Sequence, residues 1–255
     1  MATKSFELRE LFHLALLRQL GTRLSGRSYA VKGGICLRFF HRSPRLSEDM
    51  DLDIVSQVRA ATLEKAVDSV IDGRAMLATL IPLGVTAIKA TKPKQTDTTQ
   101  RWKVMLQMSA GEELRTKVEF SRRRDKIRYS TGVPDSNLLK RYKATPFAAQ
   151  YYDATFMSAQ KIAALAADGR NALRDLFDLH HLFYTIGSKP EEVSALLEPE
   201  MVKAAAEKVL SFTFEDFKEQ VVPYLSADLM DLYRDSVVFD AQKDGSISIL
   251  LGMLK

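Results

Sequence analysis

The sequence contains a single cysteine, Cys36, among 255 residues, so it cannot form an intramolecular disulfide. No apolar run approaches the roughly 20 residues that a transmembrane helix needs. Charged side chains interrupt the apolar positions of residues 1–20, a pattern unlike that of a signal peptide. These absences predict a protein of the reducing cytoplasm with no membrane partner. Cys36 itself lies in an apolar helical pattern and is predicted to be a core residue.

The sequence also lacks the motifs of several enzyme classes. No Gly-Lys-Ser/Thr follows Gly33 and Gly34, which argues against a P-loop NTPase. No Ser-His-Asp set is recognisable. The chain has four histidines, and the adjacent His180 and His181 lack further ligands at metal spacing. These two are therefore predicted to be packing or capping residues rather than zinc ligands.

Positive charge is concentrated in one segment. Residues 115–143 hold ten lysines and arginines but only three acids, so the segment carries +7 and the remainder −2 of the net +5. Basic residues at this density favour a polyanionic partner, and a solvated basic face is the alternative. Tyr129 and Tyr142 lie in the segment and are candidates for stacking on bases.

Hydrophobic periodicity predicts an α+β fold. Residues 1–150 are expected to form a mixed sheet with helices, and residues 151–255 a helical half that completes a cleft. The elements predicted in the first part are helices at 5–20, 34–41 and 59–80 and strands at 28–32, 49–55, 84–90, 101–109, 113–121 and near 125–130. The helices predicted in the second part are 158–168, 171–184, 191–209, 214–222 and 226–240. Ser158 is the expected N-cap of the first of these, and Gly169 its expected end.

The most informative motif alternates acidic and apolar residues. Asp49, Asp51 and Asp53 are each followed by an apolar residue within the segment Ser47–Ile54. On a β-strand alternate side chains share a face, so three carboxylates would repel one another unless cations lie between them. Carboxylates at positions i and i+2 suit a two-metal phosphoryl-transfer site. A solvated strand edge is the alternative interpretation.

Two further features strengthen the metal-site interpretation. Gly33 and Gly34 occupy a predicted strand-to-helix turn, where backbone N–H groups can approach a phosphate closely. Glu119 lies in another predicted strand and supplies a third carboxylate. Because hard divalent cations prefer oxygen ligands, Asp49, Asp51 and Glu119 are predicted to bind Mg²⁺, with two ions in the site.

Two segments resemble the signatures of the AbiEii/AbiGii-type toxin nucleotidyltransferases, a family of the DNA polymerase β-like nucleotidyltransferase superfamily. The first combines Lys-Gly-Gly at residues 32–34 with the segment Arg45–Leu52. The second covers Ser158–Leu179 and contains Lys161 and an Arg-Asp-x-x-Asp-Leu pattern that begins at Arg174. The two signatures occur in the family's order, with the third carboxylate between them. The resemblance implies a nucleotidyltransferase-type mixed sheet followed by a helical half.

The resemblance also implies roles for individual residues. It places the functional pair at Asp49 and Asp51 and leaves Asp53 outside the site. It implies that Lys161 contacts the β- and γ-phosphates of an NTP and that Asp175 acts in catalysis. The predicted nucleotide-binding residues are Gly33, Gly34, Ser47 and Lys161, and the predicted catalytic residues are Asp49, Asp51, Glu119, Lys161 and Asp175.

Structural alternatives remain open for several of these residues. Glu119 would otherwise be an exposed strand residue whose carboxylate pairs with Lys117 or Arg122. Lys161 borders an apolar helix face, where a lysine often buries its stem and keeps its charge in water. Arg174, Asp175 and Asp178 would otherwise form an ion-pair network that holds two helices together.

The resemblance implies an NTP-dependent toxin that transfers a nucleoside monophosphate to an acceptor hydroxyl and releases pyrophosphate. The implied acceptor is an RNA, particularly the 3′ end of tRNA, so that transfer blocks translation and growth. A cognate antitoxin encoded nearby is also implied. The residues predicted to contact RNA are Arg122, Arg123, Arg124 and Lys126. The alternatives are a small-molecule or protein acceptor, and a non-catalytic module that binds RNA or a partner.

Overall fold

The computed structural model describes residues 2–122, 128–167, 169 and 173–254. The chain divides into two compact units. The first consists of Met1–Arg42 and Ser47–Tyr152, and the second of Ser43–Leu46 and Asp153–Lys255. The predicted division after residue 150, with a helical half that completes a cleft, stays a prediction.

The first unit contains five α-helices, one short 3-10 helix (Ile81–Leu83) and seven strands among the described residues. The helices are α1 (Ala2–Leu20), α2 (Gly33–Phe40), α3 (Ala60–Ile71), α4 (Arg74–Leu80) and α5 (Ser136–Arg141). The strands are β1 (Tyr29–Lys32), β2 (Met50–Ile54), β3 (Val85–Gln95), β4 (Thr99–Met108), β5 (Glu113–Ser121), β6 (Tyr129–Gly132) and β7 (Ala149–Tyr152). This mixture of helices and strands confirms the predicted α+β class.

The seven strands form one mixed sheet in the order β3-β4-β5-β2-β1-β7-β6. Strand β2 pairs with β5 in parallel, as β1 does with β7, whereas the other neighbours are antiparallel. The acidic strand β2 therefore lies near the middle of the sheet, with β5 on one side and β1 on the other. This position brings side chains from three separate segments of the sequence next to one another.

Side chains alternate between a buried and an accessible face of the sheet. On the buried face of β4 and β5, Trp102, Val104, Val118 and Phe120 are inaccessible to solvent. Helix α1 packs against β5, and α3 and α4 pack against β3. The Trp102 indole N–H donates a hydrogen bond of 2.8 Å to Asp68 of α3, which satisfies its only polar group. The other face of the same strands presents mainly polar and charged side chains.

The prediction of one continuous helix at 59–80 is wrong. Helix α3 ends at Ile71, and α4 begins at Arg74. Gly73 between them has extended dihedral angles, φ −70° and ψ 134°. A Cβ at Gly73 would lie 3.0 Å from the carbonyl oxygen of Ser69, so only glycine fits this close turn without a shift. The apolar periodicity continued across the break and concealed it.

Two short elements of the first unit escaped the sequence analysis. Helix α5 is capped by Asp135, whose carboxylate accepts hydrogen bonds from the backbone N–H groups of Asn137 (3.0 Å) and Leu138 (3.3 Å). Strand β7 has only four residues and joins the sheet by parallel pairing with β1. Such non-local pairing leaves little periodicity in so short a segment.

The second unit is helical, as predicted. Its helices are α6 (Ala154–Ala166), α7 (Leu173–His181), α8 (Pro190–Ser194), α9 (Pro199–Leu210), α10 (Phe214–Gln220), α11 (Ala227–Met230) and α12 (Val237–Gly252). Their apolar sides form one core that includes Ile162, Leu179, Val209, Phe217 and Leu250. Burial of these side chains provides the main stabilisation of the unit.

The predicted cap of the first helix in this unit is wrong. Asp153, not Ser158, caps α6, because its carboxylate accepts a hydrogen bond of 2.7 Å from the Phe156 N–H. Ser158 lies inside the helix, where its hydroxyl donates to the Ala154 carbonyl at 2.8 Å. The helix ends at Ala166, before Gly169, whose φ of +67° is incompatible with helix continuation.

Two longer helix predictions in this unit also need correction. The helix predicted at 191–209 is two helices, because Pro199 lacks an N–H and begins α9. The helix predicted at 226–240 is instead α11 and α12, and α12 continues to Gly252. Gly245 lies within α12, where a Cβ would lie 2.8 Å from the Tyr184 hydroxyl. A tertiary contact therefore explains a glycine that reads as a helix breaker.

The structure bears on the predictions made for Cys36 and for membrane-spanning helices. Cys36 is buried in α2, as predicted, and lies 3.6 Å from the Tyr152 carbonyl oxygen. Among the described residues, no helix is both long and apolar enough to cross a membrane.

A buried histidine joins α1 to the sheet. The Thr116 hydroxyl donates to the Glu48 carbonyl at 2.7 Å, so the 2.7 Å contact between Thr116 and the Nε2 atom of His13 must use the imidazole N–H as donor. The Nδ1 atom of His13 then carries the lone pair, and it has no hydrogen-bond partner within the described part of the chain. Burial, with a smaller effect from Arg9, lowers the pKa of His13 from 6.5 to about 3.

We predict that His13 makes the protein less stable in mild acid. Below pH 6.5 the unfolded chain binds a proton that the folded protein rejects until about pH 3, so stability falls as pH decreases through this window. The loss attributable to His13 between pH 7 and pH 5 should be about 2 kcal/mol. Urea unfolding of the wild type and of His13→Gln, whose amide can still donate to Thr116, measures this loss. Identical pH dependence in both proteins would contradict it.

Candidate active site

The sheet brings the three predicted metal ligands to one place. Asp51 of β2 lies directly beside Glu119 of β5 in the parallel register, so both side chains point to the accessible face. Asp49 immediately precedes β2, and its Oδ1 atom accepts a hydrogen bond of 3.0 Å from the Lys117 backbone N–H. Two segments that are 68 residues apart in the chain thus form one acidic site.

Basic side chains neutralise the three carboxylates. The ammonium group of Lys117 lies 3.4 Å from Asp49 Oδ2 and 3.7 Å from Asp51 Oδ1. The guanidinium of Arg101 on β4 donates from Nε to Glu119 Oε2 at 2.5 Å. Glu119 is therefore paired with a basic residue, as the alternative interpretation held, but the partner is Arg101 rather than Lys117 or Arg122. Each carboxylate has a cation in contact with it.

The electrostatics of Asp51 reflect this crowding. Burial raises the pKa of Asp51, the charges of Lys117 and Lys32 oppose that rise, and the neighbouring carboxylates reinforce it. For Lys117, burial acts to lower the pKa, but the Asp51 and Asp49 carboxylates outweigh it and raise the pKa above its usual value. Partial burial of the Asp51 carboxylate thus favours the charged form of the neighbouring Lys117.

The donor set has the chemistry of a divalent-cation site. In the described residues, no three His, Cys, Asp or Glu side chains already converge as a ligand group. Asp49, Asp51 and Glu119 nevertheless offer carboxylate oxygens at adjacent positions on one face, which hard cations prefer. The ammonium of Lys117 and the guanidinium of Arg101 contact these oxygens, which shows that the oxygens attract cationic partners. The residue types therefore suit a divalent metal, although the described residues do not form a ready ligand group.

A glycine turn borders the carboxylates on the β1 side. Helix α2 begins at Gly33, which has φ +68°, a left-handed conformation that favours glycine. A Cβ at Gly33 would lie 3.1 Å from Asp51 Oδ2, so the turn approaches the acidic site closely. Gly34 follows in the first turn of α2. The Ser47 hydroxyl donates to the Asp49 carbonyl at 3.2 Å and thus lies close to the Asp49 backbone.

Asp53 is separate from this acidic site and fully buried. The Lys32 ammonium donates to Asp53 Oδ1 at 2.6 Å and to the Ser121 hydroxyl at 2.6 Å. The hydroxyl groups of Ser121 and Tyr152 also donate to the Asp53 carboxylate. These contacts satisfy a buried charge and tie β1, β2, β5 and β7 together. Asp53 therefore has a structural environment, in line with its exclusion from the predicted site.

The second unit contains its own buried ion cluster. The Lys161 ammonium donates to Asp175 at 2.6 Å and to Asp178 at 2.7 Å. Arg45 donates to both Asp178 oxygens, from Nε at 2.8 Å and from Nη2 at 2.7 Å. Lys161 is buried and does not extend its charge into water. The cluster joins α6, α7 and the segment Ser43–Leu46.

Asp178 is the centre of this cluster. Burial acts to raise its pKa, but the charges of Arg45 and Lys161 hold the pKa well below the usual range of a carboxyl group. Arg174 takes no part: it is exposed, and its guanidinium stacks over the Tyr224 ring at 4.9 Å. The expected ion-pair network thus exists, but with Lys161 and Arg45 as its cations.

The predicted RNA contacts are mostly beyond what the structure describes. Arg123, Arg124 and Lys126 lie outside the described residues. Arg122 donates from Nη2 to Gln100 Oε1 at 2.8 Å, so part of its guanidinium is used within the fold. Of the two candidate stacking residues, Tyr129 is 43% exposed. The hydroxyl of the other, Tyr142, donates to Glu10 at 2.6 Å.

Comparison with known proteins identifies the family. Residues 15–243 match the family described as nucleotidyl transferase AbiEii toxin, type IV toxin–antitoxin system. The chain belongs to this AbiEii family. The family resemblance inferred from the two signatures is confirmed. The AbiEii chain is therefore a nucleotidyltransferase of the toxin type, which implies an NTP substrate and an antitoxin partner.

Two solved structures share the fold of this chain. MenT4, a nucleotidyltransferase toxin from Mycobacterium tuberculosis, superposes with a TM-score of 0.66 at 16% identity and covers 97% of this chain and 84% of its own. JHP933 from Helicobacter pylori gives a TM-score of 0.55 at 20% identity and covers 96% and 93%. At these identities the likeness shows the fold alone. No protein with a curated function matches the AbiEii chain significantly.

Sequence reasoning named Lys117 as a possible partner of Glu119, but it missed Arg101 and the contacts of Lys117 with Asp49 and Asp51. Lys117 is two residues from Glu119 on the same strand, so strand alternation alone would have placed both on one face. Arg101 is opposite Glu119 only through the antiparallel pairing of β4 with β5. No local pattern marks Arg45 as the partner of Asp178, since 133 residues separate them in the AbiEii chain.

We predict that Gly33→Ala impairs the acidic site. The new methyl group would meet Asp51 in addition to the left-handed strain, which costs about 1–2 kcal/mol. Displacing Asp51 should lower the rate of nucleotidyl transfer by roughly tenfold to a hundredfold. The matched control is Gly111→Ala, where φ is +86° but no atom lies within 4 Å of the added Cβ. It should lose stability alone, and equal transfer rates in the two variants would show that Gly33 has no special role.

We also predict that Asp178→Ala strongly destabilises the second unit. Removal of this carboxylate leaves Arg45 buried without a counter-ion and should cost about 3–5 kcal/mol. Arg174→Ala on the same helix removes an exposed side chain and should cost less than about 1 kcal/mol. Urea denaturation followed by circular dichroism compares the two free energies of unfolding. A small, equal loss would mean that the buried ion cluster contributes little.

Proposed function

We propose that this chain transfers a nucleoside monophosphate from an NTP to the 3′ hydroxyl of tRNA, in the cytoplasm, and thereby blocks translation. The observation that carries the proposal is the pairing of Asp51 beside Glu119 on one sheet face, with Asp49 held at the Lys117 N–H and the Gly33 turn next to Asp51. Carboxylates in this arrangement match the needs of phosphoryl transfer by in-line displacement. The AbiEii family match supports the reaction class.

We propose Asp49, Asp51 and Glu119 as the ligands of two Mg²⁺ ions. When bound, such ions neutralise phosphate charge and lower the pKa of an attacking hydroxyl. The chain's own part is to hold the carboxylates in place. The Lys117 backbone N–H fixes Asp49, and strand pairing fixes Asp51 beside Glu119. This preorganisation removes orientational freedom before the reaction begins.

Residues beside the carboxylates are proposed to bind the NTP. Gly33 and Gly34 offer backbone N–H groups at the start of α2, where the helix dipole favours a phosphate. Ser47 adds a hydroxyl near the loop that holds Asp49. Lys161 and Asp175 retain the roles implied by the family signatures, in NTP binding and catalysis, and these roles stay predictions.

An RNA acceptor is supported by the charge of the chain. The basic segment 115–143 gives a polyanion an electrostatic attraction that a neutral small molecule would not feel. As the toxin of a toxin–antitoxin pair, the protein is expected to arrest growth when its antitoxin is missing. Modification of a tRNA 3′ end would explain that arrest, because an extended end cannot accept an amino acid.

We predict that Asp49→Asn and Asp51→Asn each abolish transfer. Loss of one carboxylate should reduce the rate on the order of 10³-fold or more, because catalysis depends on charge placed at the reacting phosphate. The assay incubates protein with tRNA, Mg²⁺ and each α-³²P-labelled NTP. Asp72→Asn, the same change at an exposed carboxylate outside the proposed ligand set, should keep transfer within a few-fold of the wild type.

The same assay separates the alternatives. Label on tRNA with the wild type alone supports the proposal and names the nucleotide. Label on a small molecule or on protein would replace the acceptor but keep the reaction. Growth arrest that persists in cells producing the Asp49→Asn/Asp51→Asn variant would exclude nucleotidyl transfer as the toxic activity.

A further inference from the structure

A basic pocket lies next to Asp49 in the first unit. It has a volume of about 660 Å³ and is lined by strands β3, β4 and β5. Its charged lining residues are Arg9, Glu48, Asp49, Lys89, Lys103, Arg115 and Lys117, which we call the basic pocket. Five of these side chains are cationic and two are acidic, so the pocket is positive although it borders the acidic site.

The register of the strands concentrates this positive charge. Lys103 of β4 is directly opposite Lys117 of β5, and Lys89 of β3 is opposite Met105, which is itself opposite Arg115. Directly opposed residues of neighbouring strands point to the same face. All four basic side chains therefore belong to the accessible face that carries Glu119.

Two of these cations make no polar contact with the described part of the fold. Lys89 and Lys103 are exposed and form no ion pair or hydrogen bond with any residue that the structure describes. Like charges directly opposite each other on neighbouring strands are destabilising, and the Lys103–Lys117 pair has this unfavourable arrangement. An unfavourable arrangement beside a candidate active site is expected where an anionic ligand supplies the missing negative charge.

The sheet order indicates which phosphates the pocket would bind. The Gly33 turn reaches the carboxylates from the β1 side of β2. The basic pocket approaches them from the opposite side, across β5, β4 and β3. If the NTP lies on the glycine turn, the other side is left for the molecule that provides the attacking hydroxyl.

We propose that the basic pocket binds backbone phosphates of the RNA acceptor strand, with Lys89 and Lys103 as the contacting residues. This assignment rests on the proposed function, since it names the binding site of its acceptor. It also differs from the contacts expected at Arg122, whose guanidinium donates to Gln100. Because the pocket would contact phosphates and not bases, it would contribute to the affinity for RNA rather than to base specificity.

The test compares Lys89→Ala/Lys103→Ala with Lys65→Ala/Lys203→Ala. The control pair removes the same charge from exposed lysines that lie outside the pocket and make no ion pair in the described part of the chain. Binding of fluorescein-labelled tRNA is followed by fluorescence anisotropy at several salt concentrations. Steady-state transfer then gives kcat and the KM values for tRNA and NTP separately.

The pocket variant should bind tRNA roughly tenfold more weakly at low salt. Its plot of log affinity against log salt should be shallower by about one unit for each lysine removed. The KM for tRNA should rise by a similar factor, whereas kcat and the KM for NTP should match those of the control pair. This combination supports the proposal, because a merely structural role would change kcat or stability as well.

Other outcomes overturn the proposal or separate it from the proposed function. Unchanged tRNA affinity in the pocket variant, or no tRNA binding by the wild type, would overturn it. A raised KM for NTP alone would overturn it in favour of a triphosphate site. If the wild type transfers no label to RNA but the pocket variant still loses tRNA affinity selectively, the proposed reaction fails while the binding surface stands.

Discussion

Mutual repulsion among Asp49, Asp51 and Glu119 is the constraint around which the first unit is organised. Parallel pairing of β2 with β5 forces two of these carboxylates to be neighbours, and the Lys117 backbone N–H holds the third. The fold offsets the repulsion with Lys117 and Arg101.

The second unit neutralises its buried charge completely, as the first unit does at Asp53. Asp178 is fully buried, and its negative charge is neutralised by Arg45 and Lys161 within hydrogen-bond distance. This closed cluster leaves the Asp178 oxygens partnered by cations. The accessible face of β5 and β4 instead carries Lys103 without a counter-ion in the described residues. Closed clusters specify a packed structure, whereas uncompensated charge near an active site attracts a ligand.

Much of the secondary structure could be predicted, because strands and helices of ordinary length leave a periodic trace in the sequence. The errors have particular causes. Gly73 breaks a helix whose apolar stripe continues beyond it, whereas Gly245 remains helical because Tyr184 packs against it. Ser158 resembles a cap by residue type, but Asp153 is closer to the real helix start. In each case a close tertiary contact or a neighbouring residue outweighed a local preference.

The sequence by itself predicted which carboxylates and glycines form the candidate site, because alternation on a strand and a glycine turn are local properties. It also determined the family, through two ordered signatures that lie far apart in the chain. Only the tertiary structure decided that Arg101 faces Glu119, that Arg45 joins Asp178, and that Lys103 lies opposite Lys117. Strand register and helix packing set these partners, and both depend on contacts between residues distant in sequence.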